Sequence, residues 1–273
     1  MVGMDIDAYL DRLGVARPAA PDLATLRHLQ ERHLAAVPFE NLSSHLGEPV
    51  VLEEDALFAK IVGRRRGGFC YELNGLFAAL LRSLGYEASL HAAQVFRPDG
   101  TLGPPLDHAA IVVSSDSGDW LVDVGFGRFS RHPLQLSAVD AQRDPDGEFL
   151  ILDAPHGDVD VLLDGKPQYR LERRPRPLAD FIPMAWWQTT SPESHFTQSL
   201  TCSRPTAQGR VTLSGAKLIE TVDGVRNEVL LPSPEAIRLA YRVYFGMTLT
   251  RLPVSPGESP LTAGASQPDT ALT

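Results

Sequence analysis

The sequence is poor in cysteine and contains no long apolar run. Its two cysteines, Cys70 and Cys202, are too few for a disulfide framework. No apolar stretch approaches the length of a membrane span. The first residues carry Asp5, Asp7 and Asp11 in place of the basic segment that opens a signal peptide. We therefore expect a cytoplasmic protein with reduced thiols and no membrane partner.

The chain also has fewer basic than acidic residues. The chain has 25 Lys and Arg residues against 34 Asp and Glu residues, a formal net charge of -9. This balance argues against nucleic acid and anionic membrane surfaces as general partners. An anionic small molecule remains compatible with it, because such a ligand needs only a local basic site.

The apolar periodicity predicts three units and a tail. Residues 1–86 favour helices, and residues 87–190 favour short strands with turn signals, which are typical of a small barrel or sandwich. Residues 191–253 combine strands with one well-capped helix. Residues 254–273 are rich in Pro, Ser, Gly, Ala and Thr and are expected to form a flexible tail. The fold class predicted from this order is α+β.

Cys70 stands directly before the most strongly predicted helix. The apolar stripe of that helix consists of Leu73, Leu76, Phe77, Leu80, Leu81 and Leu84. A thiol at a helix N-terminus lies near unpaired N–H groups and the positive end of the dipole, which favour the thiolate. Gly67 and Gly68 allow close approach of the backbone. The alternative is that Cys70 is a small buried hydrophobe at the start of a core helix.

A thiolate nucleophile needs a base, and the base needs a partner that orients it. Of the eight histidines, His28 and His33 fall in a predicted surface helix and His156 falls in a turn, which favours solvated or capping roles. His108 opens a predicted strand whose hairpin partner carries Asp123. An even number of loop residues would place the two side chains on one face, directly opposite or diagonal. Because a lone buried carboxylate is costly, we predict a pair; an exposed or backbone-bonded Asp123 is the alternative.

Five motifs resemble those of the arylamine N-acetyltransferases. Arg66-Gly67-Gly68-Phe69-Cys70 is similar to the nucleophile motif R-G-G-[FYW]-C of that family. Val122-Asp123-Val124-Gly125-Phe126-Gly127 is similar to its V-D-x-G-F-G segment, and His108 to its strand-opening histidine. Val37-Pro38-Phe39-Glu40-Asn41-Leu42 and Ser191-Pro192-Glu193-Ser194-His195-Phe196 resemble its P-F-E-N-L and S-P-x-S-x-F segments.

The resemblance implies a helical domain, a β-barrel-like domain and an α/β lid around a cysteine-protease-like catalytic core. It implies a ping-pong reaction in which acetyl-CoA, bound only as a substrate, acetylates Cys70. An arylamine or hydrazine then accepts the acetyl group, as in xenobiotic metabolism. Cys70 would be the nucleophile, His108 the base and Asp123 its orienting partner. No metal and no permanent cofactor are expected, and the protein would be a monomer or homodimer.

Further residues are expected around this triad. Glu40 and Arg66 match residues that form a buried structural ion pair in the family. The phosphates of coenzyme A require cations or N–H groups, for which the candidates are Thr101, Gly103 and Gly127. The expected walls of an apolar slot for a flat amine are Phe39, Tyr71, Val95, Phe126 and Phe129.

Two other function classes share these patterns. A thiol hydrolase of papain-like or transglutaminase-like type has the same Cys-His-Asp order and would pass its acyl group to water or a lysine. A catalytically inactive binding module would keep the fold without a reactive thiol. The compound that acylates Cys70 distinguishes the first alternative, and the pKa of the Cys70 thiol distinguishes the second.

Overall fold

Helices make up most of the first 86 residues of the protein, whose computed structural model describes residues 4–254. The elements here are α1 (Ile6–Leu13), α2 (Leu23–Ala36), β1 (Phe39–Glu40), α3 (Leu42–Leu46), α4 (Glu54–Phe58) and α5 (Cys70–Ser83). A π-helical turn over Ala59–Gly63 continues α4. Asp5 and Asp22 cap α1 and α2 by accepting hydrogen bonds from Ala8 N and Thr25 N.

Helix α5 is the centre of this part of the molecule. Every residue from Cys70 to Leu81 is buried, including the polar side chains of Glu72 and Asn74. A helix that is buried on all sides needs partners all round, and α5 packs between the other helices and one face of a sheet. The helix predicted after Cys70 is therefore present as the core of the fold.

The next part of the chain forms an eight-stranded antiparallel sheet that curves into a nearly closed barrel. Its strands are β2 (Glu87–Val95), β3 (His108–Ser115), β4 (Gly118–Val122), β5 (Leu134–Gln135), β6 (Gln142–Asp144), β7 (Gly147–Asp153), β8 (Val159–Leu163) and β9 (Lys166–Arg176). Their order is β5-β4-β3-β2-β9-β8-β7-β6. Alternation divides β3 between two cores: Ile111 faces α5, and Val112 faces the barrel interior.

A five-stranded sheet joins the helical region to the last part of the described chain. The remaining elements are α6 (Ile182–Thr190), α7 (His195–Gln198), β10 (Cys202–Thr206), β11 (Gly209–Ser214), β12 (Lys217–Val222), β13 (Val225–Leu230) and α8 (Pro234–Phe245). The sheet order is β1-β10-β11-β12-β13, so a strand from the helical region forms its edge, with Glu40 opposite Cys202. Helices, barrel and second sheet together confirm the predicted α+β class.

The structure shows what lies at two of the predicted boundaries. Residues 178–190 fall within the predicted β unit, but they are helical, and Phe181 and Ala185 pack into the core around α5. The predicted tail begins at Val254, which contacts His45 through the backbone, and the rest of it lies outside the described residues. Across residues 4–254, no helix combines the length and the apolar character needed to cross a membrane.

Candidate active site

Cys70 is the first residue of α5 and is buried, with 4% of its surface exposed. The N–H of the preceding Phe69 donates to Glu72 Oε2 at 3.2 Å, which fixes the start of the helix. A side chain at Gly67 would place its Cβ 1.9 Å from the carbonyl oxygen of Pro38. Glycine is therefore required where the segment leading to Cys70 passes the start of β1.

His108 and Asp123 are brought together by the register of the β3–β4 hairpin. Ser115 pairs with Gly118 across a two-residue turn, which makes His108 and Asp123 diagonal neighbours on one face. His108 Nε2 lies 2.7 Å from Asp123 Oδ2, and both side chains are buried. Of the two predicted arrangements, the diagonal one is present.

The imidazole of His108 is bound by the carboxylate of Asp123. Burial lowers the pKa of His108, but the charge of Asp123 and hydrogen bonds with Asp123 and Cys70 outweigh it and raise that pKa to about 10. The structure brings this pair close to Cys70, since a Cβ on Gly125, two residues after Asp123, would lie 2.7 Å from Cys70 Cα.

Asp123 accepts three hydrogen bonds besides the one from the imidazole. Its Oδ1 accepts from Asn74 Nδ2 and from Gly125 N, each at 2.9 Å, and its Oδ2 accepts from Tyr169 OH at 3.2 Å. Neither Asn74 nor Tyr169 was predicted from the sequence. The signal for Asn74 was available, because it is a polar residue one helical turn after Cys70 in an apolar segment. Tyr169 gives no local signal, because it lies 46 residues from Asp123 along the chain.

A buried charge network lies beneath the start of α5. Arg66 contacts Glu40 through Nε–Oε1 at 2.9 Å and Nη2–Oε2 at 3.2 Å, and its Nη1 lies 3.1 Å from Glu48 Oε2. Lys60 Nζ lies 2.7 Å from Glu72 Oε1. Burial opposes ionisation of Glu40, yet Lys60 and Arg66 hold its pKa below the usual value. Lys60 was also missed, since a buried lysine is unusual in the absence of a partner.

The candidates for binding coenzyme A differ in the groups they can offer. The N–H and the hydroxyl of Thr101 both donate to Asp99 Oδ1, and the N–H of Gly103 donates to Val95 O. These donors already have acceptors in or beside the β2–β3 connection, and their role in binding a phosphate stays a prediction. Gly127 lies in the β4–β5 connection with φ +93°, a conformation that favours glycine.

The aromatic residues predicted for the amine slot fall into two groups. The half-buried Phe126 lies edge-on to His108, with ring centroids 5.0 Å apart, and packs against Phe129 at 5.5 Å. Tyr71 has no exposed surface, and its hydroxyl donates to Leu106 O at 2.7 Å. Phe126 thus lies beside the imidazole with part of its surface exposed, whereas Tyr71 belongs to the core.

The other two residues predicted for the slot are Phe39 and Val95. Phe39 packs against Phe196, whose ring in turn lies 5.5 Å from that of Phe69, the residue before Cys70. Val95 ends β2 as a half-buried residue opposite Tyr169.

The second cysteine has none of these features. Cys202 is fully buried in the sheet formed with β1, and burial raises the pKa of its thiol well above the usual value. A thiol in this environment is unreactive, in line with the structural role expected for it.

A model of the N-acetyltransferase family matches residues 22–254. The arylamine N-acetyltransferase of Mycolicibacterium smegmatis is 35% identical over 91% of this chain and 94% of its own length. The human arylamine N-acetyltransferase 1 is 33% identical over 79% of this chain and 82% of its own length.

Solved structures agree with these sequence relatives. The Mycobacterium marinum arylamine N-acetyltransferase superposes with a TM-score of 0.80 and 32% identity over 89% of this chain and 93% of its own. The Salmonella typhimurium enzyme gives 0.82 and 29% identity over 89% and 90%. The M. marinum enzyme has also been solved in complex with CoA. Fold and site therefore define an acyltransferase of the N-acetyltransferase class. Within that class, the chain belongs to the arylamine N-acetyltransferase family.

Proposed function

We propose that the protein transfers an acetyl group from acetyl-CoA to an arylamine or hydrazine through a thioester on Cys70. The observation that carries this proposal is the 2.7 Å contact between His108 and Asp123 in a hairpin that packs against Cys70, where a Cβ on Gly125 would lie 2.7 Å from Cys70 Cα. The CoA complex of the M. marinum relative supports the choice of donor. Cytoplasmic location and xenobiotic amine substrates belong to the same proposal and are supported by family membership.

In the first half-reaction, the Cys70 thiolate attacks the acetyl carbonyl of acetyl-CoA. The oxyanion that forms needs hydrogen-bond donors, and the N–H of Cys70, the first residue of α5, is a candidate because the helix provides no acceptor at this position. The carbon–sulfur bond to coenzyme A then breaks, and the leaving thiolate takes the proton of the His108 imidazolium. Acetylated Cys70, a neutral imidazole and free coenzyme A remain.

In the second half-reaction, the amine nitrogen attacks the thioester carbonyl. The neutral His108 accepts the proton that the nitrogen loses, and the bond to Cys70 breaks to restore the thiolate and the imidazolium. Asp123 stays ionised throughout and stabilises the charged imidazole. Phe126, edge-on to that imidazole, would form one wall for a flat amine.

The acyl donor is tested by mass spectrometry of the intact protein. Incubation with acetyl-CoA without an amine should add one acetyl group to Cys70, and none to Cys70→Ser. A wild-type Cys70 that iodoacetamide alkylates but acetyl-CoA leaves unmodified would refute the transferase proposal. Release of free coenzyme A at equal rates with and without an arylamine would instead assign the protein to the thiol hydrolases.

A further inference from the structure

Asn74 connects the helix of the thiol to both strands of the His–Asp hairpin. It lies one turn after Cys70 on α5 and is fully buried. Its Nδ2 donates to Asp123 Oδ1 at 2.9 Å and to Ala109 O at 2.6 Å, and its Oδ1 accepts from Val124 N at 2.9 Å. All the hydrogen-bonding groups of one side chain therefore join the three parts of the site.

The chemistry of its partners fixes the orientation of this amide. The N–H of Val124 can only donate, so the amide oxygen must face it. The amide nitrogen then faces Asp123 Oδ1 and the carbonyl of Ala109, both of which can only accept. Only a side chain with a donor and an acceptor at these two positions satisfies all three partners.

The two partners of Asp123 Oδ1 leave the other oxygen for the imidazole. Asn74 and the N–H of Gly125 both bind Oδ1, which sets the plane of the carboxylate and turns Oδ2 toward His108. Ala109, which Asn74 also binds, directly follows His108 in β3. Asn74 thus constrains both members of the pair relative to the helix that carries Cys70.

The hairpin and α5 are in close contact at Gly125. A Cβ on Gly125 would lie 2.7 Å from Cys70 Cα and 2.8 Å from Asn74 Nδ2. The hairpin therefore approaches α5 as closely as a glycine permits at the level of these residues.

We propose that Asn74 is a positioning residue for acyl transfer, which orients Asp123 and fixes His108 against the Cys70 thiolate through its amide. The inference rests on the proposed function, because the thiolate–imidazolium pair that Asn74 orders is the one used there. Asn74 acts through Asp123 and has no direct contact with the reacting atoms.

Two substitutions and a matched control test this role. Asn74→Leu keeps the size and removes the hydrogen bonds, and Asn74→Asp keeps the shape but replaces the donor. Asn41→Leu is the control, since Asn41 is another buried asparagine with three hydrogen bonds, to Phe196 O, Ser199 O and Thr201 N. The readouts are the pH dependence of Cys70 alkylation by iodoacetamide, kcat/KM for acetyl-CoA, and urea unfolding.

For Asn74→Leu we expect kcat/KM to fall ~10- to 100-fold, as for a reacting group displaced by a fraction of an ångström. The pH midpoint of Cys70 alkylation should differ from that of wild type, because the imidazole is no longer fixed relative to α5. Asn41→Leu should lose similar stability with the wild-type midpoint. In Asn74→Asp, the introduced carboxyl can donate to Asp123 only when protonated, so kcat/KM relative to wild type should decline as pH rises from about 5 to 8.

Wild-type midpoints in both Asn74 variants, with kcat/KM reduced no more than in Asn41→Leu, would overturn the positioning role. The alkylation assay needs no acetyl-CoA. It therefore reports on Asn74 even if the protein proves to use another acyl donor, and failure of the two proposals can be told apart.

Discussion

His108 and Asp123 are diagonal neighbours across the β3–β4 hairpin, joined by a 2.7 Å contact between Nε2 and Oδ2. The two-residue turn at Asp116 and Ser117 sets this relationship, because any odd change in loop length would turn one side chain to the other face. The buried site around the pair then determines its charge. Asp123 receives four hydrogen bonds, and its charge raises the pKa of the imidazole against the effect of burial.

Asp123→Asn should lower acetyl transfer strongly with little change in fold. The amide keeps the shape of the carboxylate but loses the charge that stabilises the imidazolium, for which a loss of ~10³- to 10⁴-fold is expected. Single-turnover acetylation of Cys70 measures it. Tyr169→Phe is the matched control, since it removes only the 3.2 Å hydrogen bond to the same carboxylate, and a loss below ~10-fold is expected. Equal effects of the two substitutions would contradict a special role for the Asp123 charge.

The high pKa of His108, about 10, predicts a broad alkaline range for the first half-reaction. The imidazolium donates its proton to departing coenzyme A, so the rate should hold from about pH 7 to 9 and fall as pH passes 10. Because the folded pKa lies above the unfolded value of ~6.5, the stabilisation from this proton is complete below 6.5 and is lost toward pH 10. Stopped-flow acetylation and urea unfolding over this range check both parts. A fall in rate centred near pH 6.5 would show an unperturbed histidine.

His33 should make the fold sensitive to acid. It is fully buried with its Nε2 2.9 Å from Tyr9 OH, and burial, together with the charge of Arg12, lowers its pKa to about 3. The unfolded chain binds a proton on His33 below about pH 6.5, whereas the folded chain does not. The free energy of unfolding should therefore fall by up to ~1.4 kcal/mol per pH unit below 6.5. Urea unfolding of wild type and His33→Gln at pH 7 and pH 5 tests this. The variant should lose this part of the slope, and identical slopes would contradict the assignment.

Lys60→Met should destabilise the protein by about 3 kcal/mol, because it leaves the buried Glu72 carboxylate without its partner. Burial already raises the pKa of Glu72 despite Lys60. In the double variant Lys60→Met with Glu72→Gln, no uncompensated charge remains and most of the stability should return. Urea unfolding of the four proteins in the cycle measures the coupling. Additive losses would show that the pair contributes no coupling.

Gly125→Ala should impair activity and stability together. Its Cβ would lie 2.7 Å from Cys70 Cα, a distance that requires the hairpin and α5 to separate. Gly63→Ala is the matched control, since a Cβ there meets nothing within 4 Å. Thermal unfolding and kcat/KM should be near wild type for the control and clearly reduced for Gly125→Ala. A fully active Gly125→Ala would show that the close approach is not needed.

Local patterns predicted much of the fold and the three central residues of the site. The apolar stripe after Cys70 marked α5, and strand alternation with turn parity placed His108 and Asp123 on one face. These predictions succeeded because they depend on residues close in sequence, where helical and strand periods decide the geometry.

Features that depend on distant pairing were not predicted. His33 was interpreted as a surface residue, which is wrong, because Tyr9 and Phe77 enclose it from other helices. The N–H of Gly103, a candidate phosphate donor, pairs with Val95 O at the end of the preceding strand. No local sequence pattern predicts such partners, because the contacts form only when the elements pack together.

The pairing of β1 with β10 has a consequence for how the chain can be divided. The N–H of Glu40 donates to Gly68 O at 2.8 Å, so one short strand binds the segment before Cys70 on one side and the C-terminal sheet on the other. A chain cut near residue 200 would remove β10, the partner of this strand, and would loosen the segment that leads to Cys70. The units are therefore not exchangeable modules. A C-terminal sheet taken from a relative would have to include the residues that pair with Phe39 and Glu40.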